Sequence, residues 1–202
     1  ATRAEAKTIT LIEGAAGAGK TARLAATRER AIAARRRMVV VTPTLKAAQV
    51  AEGAIGAASY SAAWLLHQHG FRWDEDGRWS RGDSVPDVRA RLRRGDLLVV
   101  DEAGMVDQDT ARALLRLADE TKALVILVGD RHQLPAVGRG GVLDLAIRYA
   151  PDRVQQLDGV RRFKDPRYAE LSVRMRTGTA PGEVFDELLA HGEIVIHGSD
   201  VE

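Results

Sequence analysis

The stretch Gly14-Ala-Ala-Gly-Ala-Gly19-Lys20-Thr21 has the residue types and spacing of a phosphate cradle. Glycines let a backbone wrap closely and turn its N–H groups toward phosphate oxygens. A helix starting at Lys20 would add its positive end. Lys20 would reach the outer phosphates of a nucleoside triphosphate, and the Thr21 hydroxyl would ligate Mg²⁺. Gly14, Ala15, Ala16, Gly17, Ala18, Gly19, Lys20 and Thr21 are therefore the expected nucleotide-binding set. Two more segments fit the same chemistry. Asp101-Glu102 ends the apolar run Leu97 to Val100. Asp101 would hold the metal shell, and Glu102 would orient and polarise an attacking water. Gly129-Asp-Arg-His-Gln-Leu-Pro135 follows another apolar run. The neutral Gln133 amide can hydrogen-bond a terminal phosphate or the attacking water without competing for metal. Taken singly, these are also a glycine-rich turn and a strand-end acidic pair. Together in one chain they favour triphosphate chemistry, with Lys20, Glu102 and Gln133 as catalytic groups and Thr21 and Asp101 as metal ligands.

The elements around them alternate. Thr8–Ile12, Met38–Thr42, Leu97–Val100 and Ala123–Val128 are short, β-branched and apolar, as buried strands are. Helices are expected over Lys20–Arg37, about Thr44–Ile55, about Ser59–His69 and Asp107–Thr121. Asp107 or Asp109 would cap the last, with Ala111, Leu114, Leu115 and Ala118 facing inward. This order predicts an α/β fold with a mainly parallel sheet and helices on both faces. Ligands of such sheets bind at the carboxyl ends of the strands. Between the second and third strands, Asp76-Gly77 predicts a small β-hairpin insertion over about residues 70–81. A two-residue turn there sets Asp74 opposite Trp79. Val88–Arg94 is expected to be a short helix ended by Gly95. Further on, Val154–Leu157 and Ile194–His197 are candidate strands, and Pro166–Arg176 and Glu183–His191 candidate helices.

Composition narrows the class. The chain has 202 residues, enough for one core and a fragment of another. Charged residues are 29% and hydrophobic ones 45%, which argues against a disordered tail or a fibre. No apolar run reaches about 18 residues, so no membrane partner is expected. The start, Ala1 to Lys7, lacks the apolar stretch of a signal peptide. Absence of cysteine excludes disulfides and cysteine-based zinc sites, and fits a cytoplasmic location. The net charge of +2 is too small to signal nucleic acid by itself.

The three segments together resemble the motor of superfamily 1 helicases of the RecD-like branch. Thr42-Pro-Thr44 is similar to motif Ia, Asp101-Glu-Ala-Gly-Met105 to motif II, and Gly129 to Pro135 to motif III. Leu157-Asp-Gly-Val-Arg-Arg162-Phe163 is similar to motif IV. Ser59–Trp79 and Leu97–Asp144 look closer still to the helicase part of MobF-type conjugative relaxases, the TraA/TrwC kind. The resemblance implies a RecA-like P-loop NTPase fold. Its ATPase domain would span 1–157, and 158–202 would hold motif IV and the start of an incomplete second domain. It also implies ATP and Mg²⁺ as cofactors and 5′-to-3′ movement along single-stranded DNA. Arg162 would contact the γ-phosphate, and Thr42, Pro43 and Thr44 would lie on the DNA face. Motifs V and VI, an upstream adenine-contacting Gln segment, and a nicking domain with tyrosine and three-histidine sites are not found. The expectation is therefore an excised or degenerate ATPase core, whose partners would be the remaining helicase domains, and relaxase domains where present, of a larger parent protein.

Alternatives remain open at this level: a stand-alone RecD-like exonuclease-subunit fragment, a nucleotide- or DNA-binding module without turnover, or a P-loop kinase. No kinase lid is recognisable, and Gln133 argues for a motor. In the hairpin, Trp73 and Trp79 beside Arg72, Arg78 and Arg81 could stack on bases. They could equally pack the hairpin onto the core. Arg89, Arg91, Arg93 and Arg94 could bind phosphates or line a solvated helix. His67 and His69, two apart on a helix, would not share a face and do not form a metal site.

Overall fold

A computed structural model describes residues 9–74, 78–133, 139–157 and 166–196. Six strands form one parallel sheet: β1 (Ile9–Gly14), β2 (Met38–Thr42), β3 (Ala58–Ser61), β6 (Leu97–Val100), β7 (Leu124–Gly129) and β8 (Val154–Leu157). Their spatial order is β3-β2-β6-β7-β1-β8. Every pairing in it is parallel, as expected. β4 (Phe71–Trp73) and β5 (Trp79–Arg81) form a separate antiparallel hairpin. The helices are α1 (Lys20–Ala33), α2 (Leu45–Ile55), α3 (Ala62–Gln68), α4 (Gln108–Thr121), α5 (Val142–Tyr149), α6 (Pro166–Thr177) and α7 (Pro181–Ala190).

The apolar strands have a side chain on each face, because strand side chains alternate with period two. Val39, Val41, Leu98, Val100, Val125 and Leu127 point to one core, with Leu65, Leu66, Leu114, Leu117, Leu143 and Ile147. Met38, Val40, Val99, Ile126 and Val128 point to the other, with Leu24, Ala51 and Ile55. Continuous apolar strands are thus covered on both sides. α1 starts after the positive-φ Gly19, and α2 is capped by the Thr44 hydroxyl, which accepts from the Ala47 N–H at 3.2 Å. Asp107 caps α4, accepting from the Thr110 N–H at 2.8 Å. On α4, Ala111, Leu114 and Ala118 are buried as expected, together with Leu117, whereas Leu115 is 41% exposed.

Several expectations fail for identifiable reasons. Ser59–Ser61 is not helical: it pairs with β2 as the sheet's edge strand, and Ser61 caps the shorter α3. Tertiary pairing overrides the helical pattern there. Val88–Arg94 is one turn and not a helix. The Arg37 guanidinium takes the carbonyls of Val88, Arg89 and Arg91, and the Arg93 N–H goes to the buried Asp96 carboxylate. These partners replace the helical ladder. The hairpin register is shifted by one residue. Trp73 pairs with Trp79, and the Asp74 N–H donates to the Arg78 carbonyl at 2.9 Å. Asp74 also accepts from the Arg78 N–H through its side chain, at 2.7 Å. Three residues, 75–77, therefore separate the innermost pair where two were expected; the Asp76-Gly77 signal lies outside the described residues. Ile194 to Ile196 forms no strand.

Candidate active site

The topology gathers the three sequence segments. β7 lies between β1 and β6, so the residues after these three strands leave from adjacent carboxyl ends. Gly14–Gly19 follows β1 and leads into α1, whose first residue is Lys20. Gly19 has φ +89°, a backbone that favours glycine. The Lys20 ammonium curls back onto the loop and donates to the Gly14 carbonyl at 2.8 Å and the Ala15 carbonyl at 3.4 Å. Thr21 is exposed at the mouth.

Asp101 leaves β6 with its N–H bonded to the Val41 carbonyl at 2.9 Å, so the β2–β6 ladder sets its position. Its carboxylate accepts from the Glu102 N–H at 3.0 Å. Burial pushes the Asp101 carboxyl above its ordinary value, and the neighbouring Glu102 charge adds to the rise. The Glu102 N–H and Lys20 pull the other way. Glu102 itself sits at φ 54°, ψ 41°, a left-handed backbone rare outside glycine and asparagine. A short 3₁₀ turn, Ala103–Met105, follows it. That turn lies hard against the end of β7: a Cβ on Gly104 would stand 3.0 Å from the Asp130 carbonyl oxygen. The glycine thus lets the Asp101-Glu102 segment approach the segment that carries Gln133.

Two clefts result. One of about 630 Å³ is lined by Ala16, Gly17, Gly19, Lys20, Thr21, Glu102 and Gln133. The other, about 380 Å³, is lined by Thr21, Thr42, Thr44, Lys46, Asp101 and Glu102 among others. Thr21 and Glu102 belong to both, so the phosphate loop and the acidic pair share one edge of the sheet. The donor set fits a hard cation: a hydroxyl and a desolvated carboxylate, the oxygen ligands that Mg²⁺ takes.

The remaining expected residues are placed as follows. Thr42 is buried and its hydroxyl donates to the Thr44 carbonyl at 2.7 Å. Pro43 is half-buried, and Thr44 is exposed at the start of α2. Trp79 is half-buried, with its indole N–H donating to the Thr110 hydroxyl at 3.2 Å. Trp73 is 51% exposed and meets Trp79 edge to face at 4.9 Å. Arg81 pairs with Glu120 and covers the Phe71 ring. Trp79 therefore anchors the hairpin on α4, and Trp73 stays exposed to solvent. Arg162 lies outside the described residues. Among the described residues, no cluster of histidine and carboxylate groups could hold a metal on its own.

Sequence reasoning missed a charge network behind the loop. Glu13, fully buried, accepts from Arg131 at 2.7 and 3.0 Å. Buried Asp130 accepts from the Arg176 Nε at 3.0 Å to each oxygen. The visible signal was a glutamate set between the run Thr8–Ile12 and the glycine-rich loop.

Comparison with known proteins agrees with this architecture. The chain is 31% identical over 195 residues to a probable conjugal transfer protein TraA of Sinorhizobium fredii, covering 95% of this chain and 16% of that protein. It is 29% identical over 173 residues to the conjugal transfer protein TraA of Rhizobium radiobacter, covering 84% and 14% respectively. The chain thus spans about one sixth of these relatives. Its fold is similar to the crystal structure of Pif1 helicase from Candida albicans, with TM-score 0.60, 19% identity, and coverage of 90% of this chain and 43% of that one. The resemblance to TraA-type conjugative proteins and the helicase-like α/β fold are both borne out. The AAA domain family profile matches residues 1–199, and the chain belongs to that family.

Proposed function

We propose that this chain is the ATP-hydrolysing motor domain of a superfamily 1, RecD-like DNA helicase within a conjugative relaxase-helicase. One observation carries the reading: Lys20, Thr21, Glu102 and Gln133 line one cleft at the ends of adjacent parallel strands. Lys20 and the loop N–H groups hold the triphosphate of ATP. Thr21 and Asp101 hold Mg²⁺, which when bound neutralises charge on the outer phosphates. Glu102 orients and polarises the attacking water, and Gln133 senses the γ-phosphate. Catalysis in such a site is positioning and charge stabilisation. Arg162 is assigned to the γ-phosphate from the segment 158–202, which we assign to the start of a second domain. Single-stranded DNA is assigned to Pro43, Thr44 and the exposed Trp73, with the protein in the cytoplasm.

The test is DNA-stimulated phosphate release. Wild type is expected to release phosphate faster with single-stranded DNA than without. Lys20→Ala and Glu102→Gln are expected to lose this activity. Equal rates for all three proteins would replace the motor with a binding module.

A further inference from the structure

Two carboxylates are buried directly behind the loop that we assign to a triphosphate. Glu13 immediately precedes Gly14 and is fully buried; Asp130 follows β7 and is 3% exposed. Glu13 and Gly129 are register partners across β1 and β7, which puts the two carboxylate-bearing backbones side by side. Uncompensated, this pair would repel any polyanion held by residues 14–21, because interior charges are weakly screened. Two arginines compensate it. Arg131 forks onto Glu13 and lies 3.7 Å from Asp144, which itself pairs with Arg148 at 2.6 Å. Arg176 takes both oxygens of Asp130 and stands 3.8 Å from Glu13. Arg176 comes from α6, 46 residues beyond its partner. It also lines a cavity of about 700 Å³ together with Ala15, Ala16 and Gln133 among others.

We propose that Arg176 is a positioning residue for nucleotide binding, acting by cancelling the Asp130 charge behind the phosphate loop. This rests on the triphosphate reading above. With Glu13, Asp130, Arg131 and Arg176 all charged, the group sums to zero. Arg176→Gln leaves it at −1, Asp130→Asn takes it to +1, and the double substitution returns it to zero. The two single variants therefore predict opposite signs, and the double variant predicts no change.

The experiment titrates the 202-residue chain with a fluorescent ATP analogue in Mg²⁺ buffer, with thermal melts alongside. Arg176→Gln is expected to weaken binding roughly tenfold, the effect of about one unit charge across a partly buried site. In steady state, KM for ATP rises while kcat changes little. Asp130→Asn binds at least as tightly as wild type. The Arg176→Gln/Asp130→Asn protein returns to within about twofold of wild type. A folded Arg176→Gln protein with wild-type affinity overturns the proposal. So does a folded double variant as weak as Arg176→Gln, which would make Arg176 a tether and not a charge. Should Arg176→Gln fail to fold, weaker binding by Asp130→Asn overturns it. A folded wild type that binds no analogue sinks the triphosphate reading itself, a result separate from any variant.

Discussion

Glu102 combines a functional side chain with a strained backbone, and the two can be separated. At φ 54° its Cβ crowds the following carbonyl, which costs an L-residue roughly 1–2 kcal/mol. Its N–H and C=O are both used, toward Asp101 and Met105, and a glycine would keep both bonds. Glu102→Gln removes the charge and retains the strain. Glu102→Gly removes both, and gives back about 0.4–1 kcal/mol through the freer unfolded chain. The difference leaves Glu102→Gly about 1 kcal/mol more stable than Glu102→Gln. For a chain of this size that is roughly 2–4 °C in Tm. Glu102→Asn, which tolerates the left-handed region, should fall between them. Urea denaturation and calorimetry measure stability, and phosphate release measures turnover. All three variants should lose turnover while their stabilities separate in that order. A glycine variant equal to or less stable than the glutamine variant would refute the idea that this turn holds strain for the sake of the Glu102 side chain.

Four further outcomes follow from the geometry. Asp101 has its carboxyl pushed up chiefly by burial, so in metal-free protein its ionisation opposes folding above the unfolded value near 3.8. Asp101→Asn should therefore raise the melting temperature of the metal-free protein at pH 7, while abolishing the further rise that Mg²⁺ and ATP produce; a lower metal-free Tm would contradict this. Burial lowers the His69 pKa below 6.5, and its ring contacts the Ala90 carbonyl at 3.0 Å. The unfolded chain then takes up this proton first, so stability should fall as pH drops below about 6.5 and level off below the folded value; in His69→Gln that part of the pH dependence in denaturant titrations should vanish. Trp79→Phe should cost about 1 kcal/mol by breaking the bond to Thr110. Trp73→Ala should instead leave stability nearly unchanged and weaken binding of fluorescent single-stranded DNA about tenfold; unchanged DNA affinity would take Trp73 out of the interface.

Much of the site was legible because its chemistry is local. A phosphate loop needs glycines, a lysine and a hydroxyl at fixed spacing, and residues 14–21 supply them within one turn between β1 and α1. The apolar runs at 38–42, 97–100 and 124–129 determined by themselves that strands would be buried on both faces, since no polar side chain interrupts their alternation except at the ends. Short-range signals were less dependable where a distant partner intervened. Ser59–Ser61 became a strand because β2 offered it a ladder, and Val88–Arg94 lost its helix to the Arg37 guanidinium and Asp96. Asp76-Gly77 announced a hairpin, but the folded chain pairs Trp73 with Trp79, one residue off the register of a two-residue turn. Strand order could be known only from the folded chain. It places β7 between β1 and β6, and so brings Gln133 and Glu102 to the loop that holds Lys20. Neither could sequence show which arginines stand behind that loop. Arg131 and Arg176 look like any others among the many in this chain; only burial of Glu13 and Asp130, whose charges demand a partner out of water, selects those two.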